Sequence, residues 1–246
     1  NPTAGSGRGA RVGAQITKLL TERGIAHVPS LTQGPDHATE LAKSAALSGA
    51  RTVLAVGGDG TVLETARGLY GTGTALGVIA AGTGNDVSKM LHVPKKPADG
   101  LAFLLSRPPR RLDAGLINDK LFLNVCGTGF DVCVLGYAQA AKKIVRGMLP
   151  YLWGVVRAIF TYQPVSVTFE VDGEAPQTKP LLLLAVANGR YFGGGIDVAP
   201  TSKPDDGLFD LIVIETMPRR KMPFQLPKLV NGRVFDIPGI SFRRCH

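Results

Sequence analysis

The sequence predicts two folding units, an α/β unit built on a parallel sheet and then a β-rich unit of antiparallel strands. Three observations predict this. Between residues 8 and 91, helix-period and strand-like segments alternate with short loops, the pattern of parallel strands covered by the helices that join them. The stretch Arg107-Pro108-Pro109-Arg110-Arg111 interrupts that pattern, and proline with charge marks a break between units. Beyond it, residues 165–171 alternate apolar and polar side chains, as in an antiparallel strand with one wet face. The expected units are 1–112 and 113–246.

Residues 8–22 read as a helix, with Val12, Ile16, Leu19 and Leu20 on one face. Residues 25–31 are expected to form a short strand and His37–Leu47 an Ala-rich helix. Residues 51–56 form a buried strand that runs directly into Gly57-Gly58-Asp59-Gly60-Thr61, and a helix follows to Leu69. The strand 76–80 ends in Gly82-Thr83-Gly84-Asn85-Asp86, followed by a helix to Leu91. In the second unit, helices are expected at 130–142 and 150–160, and strands at 165–171, 181–187 and 208–214. No internal repeat is evident.

The chain has 246 residues, 44% of them hydrophobic, which is enough for a sizeable core and argues against disorder. The net charge of +9 suits nucleic acid, an anionic membrane face or a phosphorylated ligand, and does not choose among them. The basic residues are scattered, with no interleaved aromatic platform, so nucleic acid is set aside. Cys126, Cys133 and Cys245 have no metal-like spacing and read as free thiols in a reducing compartment. The chain opens on loop composition rather than a leader, and no apolar run reaches the roughly 18–20 residues that span a bilayer. The expectation is a cytoplasmic protein of which the sequence is a part.

The 31 glycines cluster in short loops, and the two main clusters fall at the carboxyl ends of predicted strands, where ligands of parallel sheets sit. Gly57-Gly58-Asp59-Gly60-Thr61-Val62-Leu63-Glu64 lies between a strand and a helix start. There, free N–H groups and the helix dipole attract anions. Asp59 would repel a phosphate unless a cation lay between them, which favours a Mg²⁺-bridged nucleotide. The plain structural reading is a tight turn with Asp59 as helix cap. Thr83 and Asp86 repeat that logic on the next strand, with the same alternative. Asn1-Pro2-Thr3-Ala4-Gly5-Ser6-Gly7 would be a third phosphate loop if a strand precedes it. No Walker-type run is present. Gly5-Ser6-Gly7-Arg8-Gly9-Ala10 fits a dinucleotide pattern only formally, since the acidic residue about 20 positions on is missing.

Taken together these loops, with Asn188-Gly189-Arg190, Gly193-Gly194-Gly195, Ala199-Pro200 and Asp205-Asp206-Gly207-Leu208-Phe209, resemble the diacylglycerol kinase catalytic-domain family of lipid kinases. The resemblance covers nearly the whole chain. It implies an N-terminal three-layer α/β nucleotide domain, similar to those of NAD kinases and phosphofructokinases, and a C-terminal β-sandwich. It also implies an ATP- and Mg²⁺-dependent kinase acting on diacylglycerol or a similar lipid. ATP would be held by Asn1, Pro2, Thr3, Ala4 and Gly5, by Thr32, by Gly58, Asp59, Gly60, Thr61, Val62, Leu63 and Glu64, and by Thr83. Asp59 and Asp86 would organise Mg²⁺ through waters. A structural Mg²⁺ would sit on the Asp206 carboxylate and the carbonyls of Lys203 and Leu208.

The family's general base is a glutamate in an Asp-Gly-Glu element, expected beyond His246. Asp172-Gly173-Glu174 reads instead as a hairpin turn. A membrane-embedded substrate implies peripheral contact with anionic lipid at the inner membrane face. The mixed basic and apolar segment 142–153 is the candidate contact, although its apolar half is expected first to pack in the core. A kinase for another lipid or for NAD, or a non-catalytic nucleotide- or lipid-binding homologue, are the competing readings. Oligomeric state is open, a homodimer included.

Overall fold

The computed structural model describes residues 1–141 and 149–246. The chain divides into two units, Asn1–Leu123 with Gly193–Gly195, and Asn124–Phe192 with Ile196–His246.

The first unit contains α1 (Ala4–Glu22), α2 (His37–Leu47), β1 (Thr52–Gly57), α3 (Asp59–Leu69), β2 (Ala75–Ala80), α4 (Asp86–Met90), α5 (Pro97–Leu105), β3 (Gly115–Ile117) and β4 (Lys120–Phe122). β1 and β2 are parallel, pairing from Thr52 with Ala75 to Gly57 with Ala80. The unit has three layers. Val12, Ile16 and Leu20 recur every fourth residue of α1 and pack with Leu101 of α5 on Ile79, Leu54 and Val56. On the opposite face, Val62 of α3 with Val87 and Met90 of α4 pack on Ala55 and Val78. Strand residues alternate between the layers, as a period of two requires.

Two local expectations change. Residues 25–31 form no regular element and pair with no strand among the described residues, and Val28 and Leu31 are exposed. A β-prone segment without a neighbour to take its N–H and C=O groups forms no ladder. The hairpin β3–β4 follows the Arg/Pro stretch yet belongs to the first unit, because Leu123 beyond it packs with Val62, Val87 and Met90.

The second unit contains β5 (Val125–Gly129), α6 (Phe130–Ala141), α7 (Leu149–Thr161), β6 (Val165–Phe169), β7 (Gln177–Ala187), β8 (Tyr191–Phe192), β9 (Ile196–Asp197), β10 (Phe209–Glu215), α8 (Met222–Val230) and β11 (Ile240–Cys245). β11, β10, β7 and β5 form an antiparallel sheet in that order, with β6 also on β7. Ile214 pairs with Leu183 and Glu215 with Leu181, so Leu182 is the extra residue of a bulge. Ile212 and Ile214 face a core that includes Ile159 of α7 and Met222 of α8. Leu211 and Val213 face the other side with Leu181 and Val167.

The turn between β6 and β7 has Asp172 and Gly173 at φ 52° and 77°, and Arg243 holds the Glu174 carboxylate with two bonds of 2.5 and 2.6 Å. That is the hairpin turn expected there. The core packing expected for the apolar half of 142–153 is overturned where it can be seen. Leu149, Leu152 and Trp153 are exposed, because α7 turns Pro150, Gly154, Ala158 and Ile159 inward instead. Residues 142–148 lie outside the described residues.

Candidate active site

The carboxyl ends of β1 and β2 put the glycine loops side by side. A Cβ on Gly82 would stand 2.3 Å from the Gly58 Cα, so the two backbones touch and only glycine permits it. Asn85, left-handed at φ 53°, closes its loop by accepting from Gly82 N and donating to Gly82 O, both at 2.8 Å.

The first residues of the chain lie across the same ends. Asn1 N donates to Val56 O (2.9 Å), and its side-chain amide donates to Thr61 Oγ1 (3.1 Å). Asn1 Oδ1 accepts from Thr3 N and Thr3 Oγ1 at 3.0 and 2.9 Å. Gly5, Ser6 and Gly7 are left-handed at φ 57°, 58° and 92° before α1 becomes regular. Within this run Gly7 N donates back to Thr3 O (3.3 Å). A Cβ on Gly5 would lie 2.3 Å from Ala81 O, and Arg8 Nη2 donates to Gly82 O (2.7 Å). Three glycine-bearing loops therefore share one place in the first unit.

Asp59 Oδ1 accepts from Val87 N (3.0 Å), capping α4 rather than the helix it begins. A Cβ on Gly84 would be 2.9 Å from Asp59 Oδ2 and 3.6 Å from Asp86 Oδ2, so both carboxylates face the space above Gly84. Asp86 is buried, pairs with Lys89 Nζ through Oδ1 (2.9 Å) and accepts from Gly194 N through Oδ2 (2.7 Å). Among the described residues, no cluster of three or more His, Cys, Asp and Glu side chains is placed to hold a metal directly. Asp59 Oδ2, facing the loop and outside the α4 cap, fits an ion held through water. Asp86 offers no oxygen without a partner.

The other expected residues divide by position. Thr61 is buried under Asn1, and Val62 points into the sheet core, so Val62 offers the site only backbone. Leu63 and Glu64 lie half-buried further along α3, where Glu64 O accepts from Thr39 Oγ1 (2.9 Å). Gly60 is the second residue of α3, and Thr83 is exposed at the tip of the second loop. Pro2 and Ala4 lie in the first loop. Thr32 lies half-buried in the irregular segment before α2, and no hydrogen bond joins it to the loops among the described residues. Behind the loops, a crevice lined by Gly58, Asp59, Val78 and Ser88 is too narrow for a water-sized sphere. Any phosphate would lie on the outer face of the loops.

Arg8 and Lys89 were missed. Each reads in the sequence as a solvated basic residue on a helix, and only the fold shows the loop groups they meet. Asp131, in the second unit, gave no motif either. Burial pushes its carboxyl up, against hydrogen bonds from its own and the Val132 N–H. Its Oδ1 and the nearby Tyr162 hydroxyl are buried without a partner among the described residues.

The turn holding Lys203, Asp206 and Leu208 offers one carboxylate and two carbonyls, hard oxygens that suit Mg²⁺ with added water. Asp206 Oδ1 accepts from Leu208 N (3.2 Å), and its Oδ2 is paired with Arg244 Nη2. An ion there would share that carboxylate with a guanidinium or displace it.

The diacylglycerol kinase catalytic domain model matches residues 1–117, and the YegS C-terminal NAD kinase beta sandwich-like domain model matches residues 124–246. A "Probable lipid kinase YegS-like" of Chromohalobacter salexigens is 38% identical over 84% of this chain and 70% of its own length. A diacylglycerol kinase of Bacillus subtilis is 32% identical over 87% and 72%. The crystal structure of a diacylglycerol kinase from Bacillus anthracis aligns with all of this chain and 81% of its own, with a TM-score of 0.79 and 26% identity.

Proposed function

The chain belongs to the family of diacylglycerol kinases and YegS-like lipid kinases, and from that premise we propose that it transfers the γ-phosphate of ATP to the hydroxyl of diacylglycerol, giving phosphatidic acid. The observation that carries this reading is the convergence of three glycine-bearing loops on two adjacent strand ends beside the Asp59 carboxylate.

Phosphoryl transfer depends on positioning and on neutralising charge more than on covalent chemistry. The N–H groups of Gly5, Ser6 and the α3 start would cradle the phosphate oxygens, with Thr83 at the exposed tip. Asp59 would hold Mg²⁺ through water, and Asp86 would reach it only through its own partners or water. The ion would supply positive charge against the triphosphate when bound. Asp206, with the Lys203 and Leu208 carbonyls, would hold a second, structural Mg²⁺ in competition with Arg244. The lipid hydroxyl would lose its proton to a glutamate base. Glu174 is unsuited, since Arg243 occupies both its oxygens.

Because such a substrate resides in a bilayer, the enzyme would work at a membrane surface. No helix among the described residues is long and apolar enough to cross one. Radiolabelled ATP incubated with the protein and a total lipid extract tests the reading. Labelled phosphatidic acid is expected. Label appearing on another lipid, or on NAD offered in parallel, would replace diacylglycerol as the substrate, and no labelled product at all would refute the proposal.

A further inference from the structure

Helix α7 is apolar on two sides, and only one is covered by the described residues. Its inner side packs so closely on α6 that a Cβ on Gly154 would stand 2.5 Å from Val134 O. On the outer side, Leu149, Leu152, Trp153, Val156 and Phe160 are 41% to 70% exposed. At 3.6 residues per turn these five positions fall in one arc about 100° wide, along the whole helix. A continuous stripe of large apolar side chains marks a docking face, whereas single exposed ones need no explanation.

Charge selects the occupant. Between Asp131 and Glu170 the sequence holds no acidic residue, but it does hold Lys142, Lys143, Arg146 and Arg157. Arg157 borders the stripe, its guanidinium 5.9 Å from the Trp153 ring centre and 5.5 Å from that of Tyr137. A second copy of the chain would set the same positive charge against itself. An anionic bilayer satisfies both the charge and the apolar stripe, because basic residues bordering an apolar helix face suit the headgroup boundary.

We infer that α7 docks this protein on anionic lipid, with the Leu149-to-Phe160 stripe entering the boundary between headgroups and acyl chains. The inference draws its purpose from the lipid-kinase reading, but binding needs no turnover.

Trp153 is the only tryptophan of the chain and sits in the stripe, so its emission reports docking in the unaltered protein. With vesicles of phosphatidylglycerol and phosphatidylcholine, the emission should shift to the blue, brominated acyl chains should quench it, and added salt should weaken binding. Leu152→Glu and Phe160→Glu should each weaken partitioning about tenfold or more with unchanged circular dichroism, since both side chains are exposed. Emission unmoved by vesicles overturns the inference. So does glutamate-variant binding as tight as wild type, or a blue shift without lipid that grows with protein concentration, which would mean a second copy covers the stripe. Phosphorylation of a short-chain, monomerically dispersed diacylglycerol separates the two claims. Turnover without a vesicle response refutes the docking alone, and a vesicle response without turnover refutes the kinase reading alone.

Discussion

Asp59 does two things with one carboxylate. Its Oδ1 caps α4 by accepting from Val87 N, while Oδ2 faces Gly84 and the second loop. The substitutions Asp59→Asn and Asp59→Ala therefore separate stability from chemistry. An asparagine keeps an oxygen for Val87 N and removes the charge, so the melting temperature should hold while turnover in a lipid-micelle assay falls by about 10²–10³-fold. Alanine loses the cap as well, and should cost about 1 kcal/mol of stability in addition. An Asp59→Asn enzyme of near-normal activity would remove Asp59 from the proposed mechanism. The sequence showed Asp59 because a charge between glycines at a helix start is unusual. It could not show which helix the side chain caps, since Val87 lies 28 positions away and only the pairing of β1 with β2 brings it near.

Elements were legible where the pattern was local. The apolar period of α1, the β1 strand that runs into its glycine loop, and the alternating β6 all appear near their expected positions. Residues 25–31 failed because a strand is made by its neighbour, and β propensity alone supplies no ladder. The face of α7 failed for a related reason. With apolar residues on two sides of a helix, the sequence does not say which side the fold will cover. What the structure adds at this scale is contact between loops. The Gly58 and Gly82 backbones meet too closely for a side chain, so Gly82→Ala must push the two strand ends apart. It should lower stability by about 1–3 kcal/mol in urea unfolding and weaken the proposed ATP binding with it. Gly13→Ala, in α1 with nothing within 4 Å of its added Cβ, is the matched control and should be neutral or slightly stabilising. Equal effects from the two substitutions would mean that the loops do not depend on their mutual approach.

Over the whole molecule, basic residues outnumber acidic ones, 28 to 19, and many carboxylates already have a cationic side chain beside them. Asp86 has Lys89, Asp197 has Arg190, Glu174 has Arg243 and Asp206 has Arg244. The composition showed the imbalance but not the pairing, since Asp206 and Arg244 come together only through the register of β10 on β11. Any magnesium ion bound as proposed would therefore compete with the protein's own cations for oxygen. The competition is most direct at Asp206, whose Oδ2 Arg244 holds while also approaching Asp210 Oδ1 at 3.9 Å. A partly exposed ion pair of this kind contributes up to about 1 kcal/mol. Removing the guanidinium should let Mg²⁺ bind that turn roughly fivefold more tightly. In thermal melts without nucleotide, the stabilising response of Arg244→Met should thus saturate at a lower Mg²⁺ concentration than that of wild type, and Asp206→Asn should abolish it in both backgrounds. If Arg244→Met responds to Mg²⁺ no more strongly than the unaltered protein, then the arginine and the ion do not share that carboxylate, and Asp206 serves only to hold β11 against its turn.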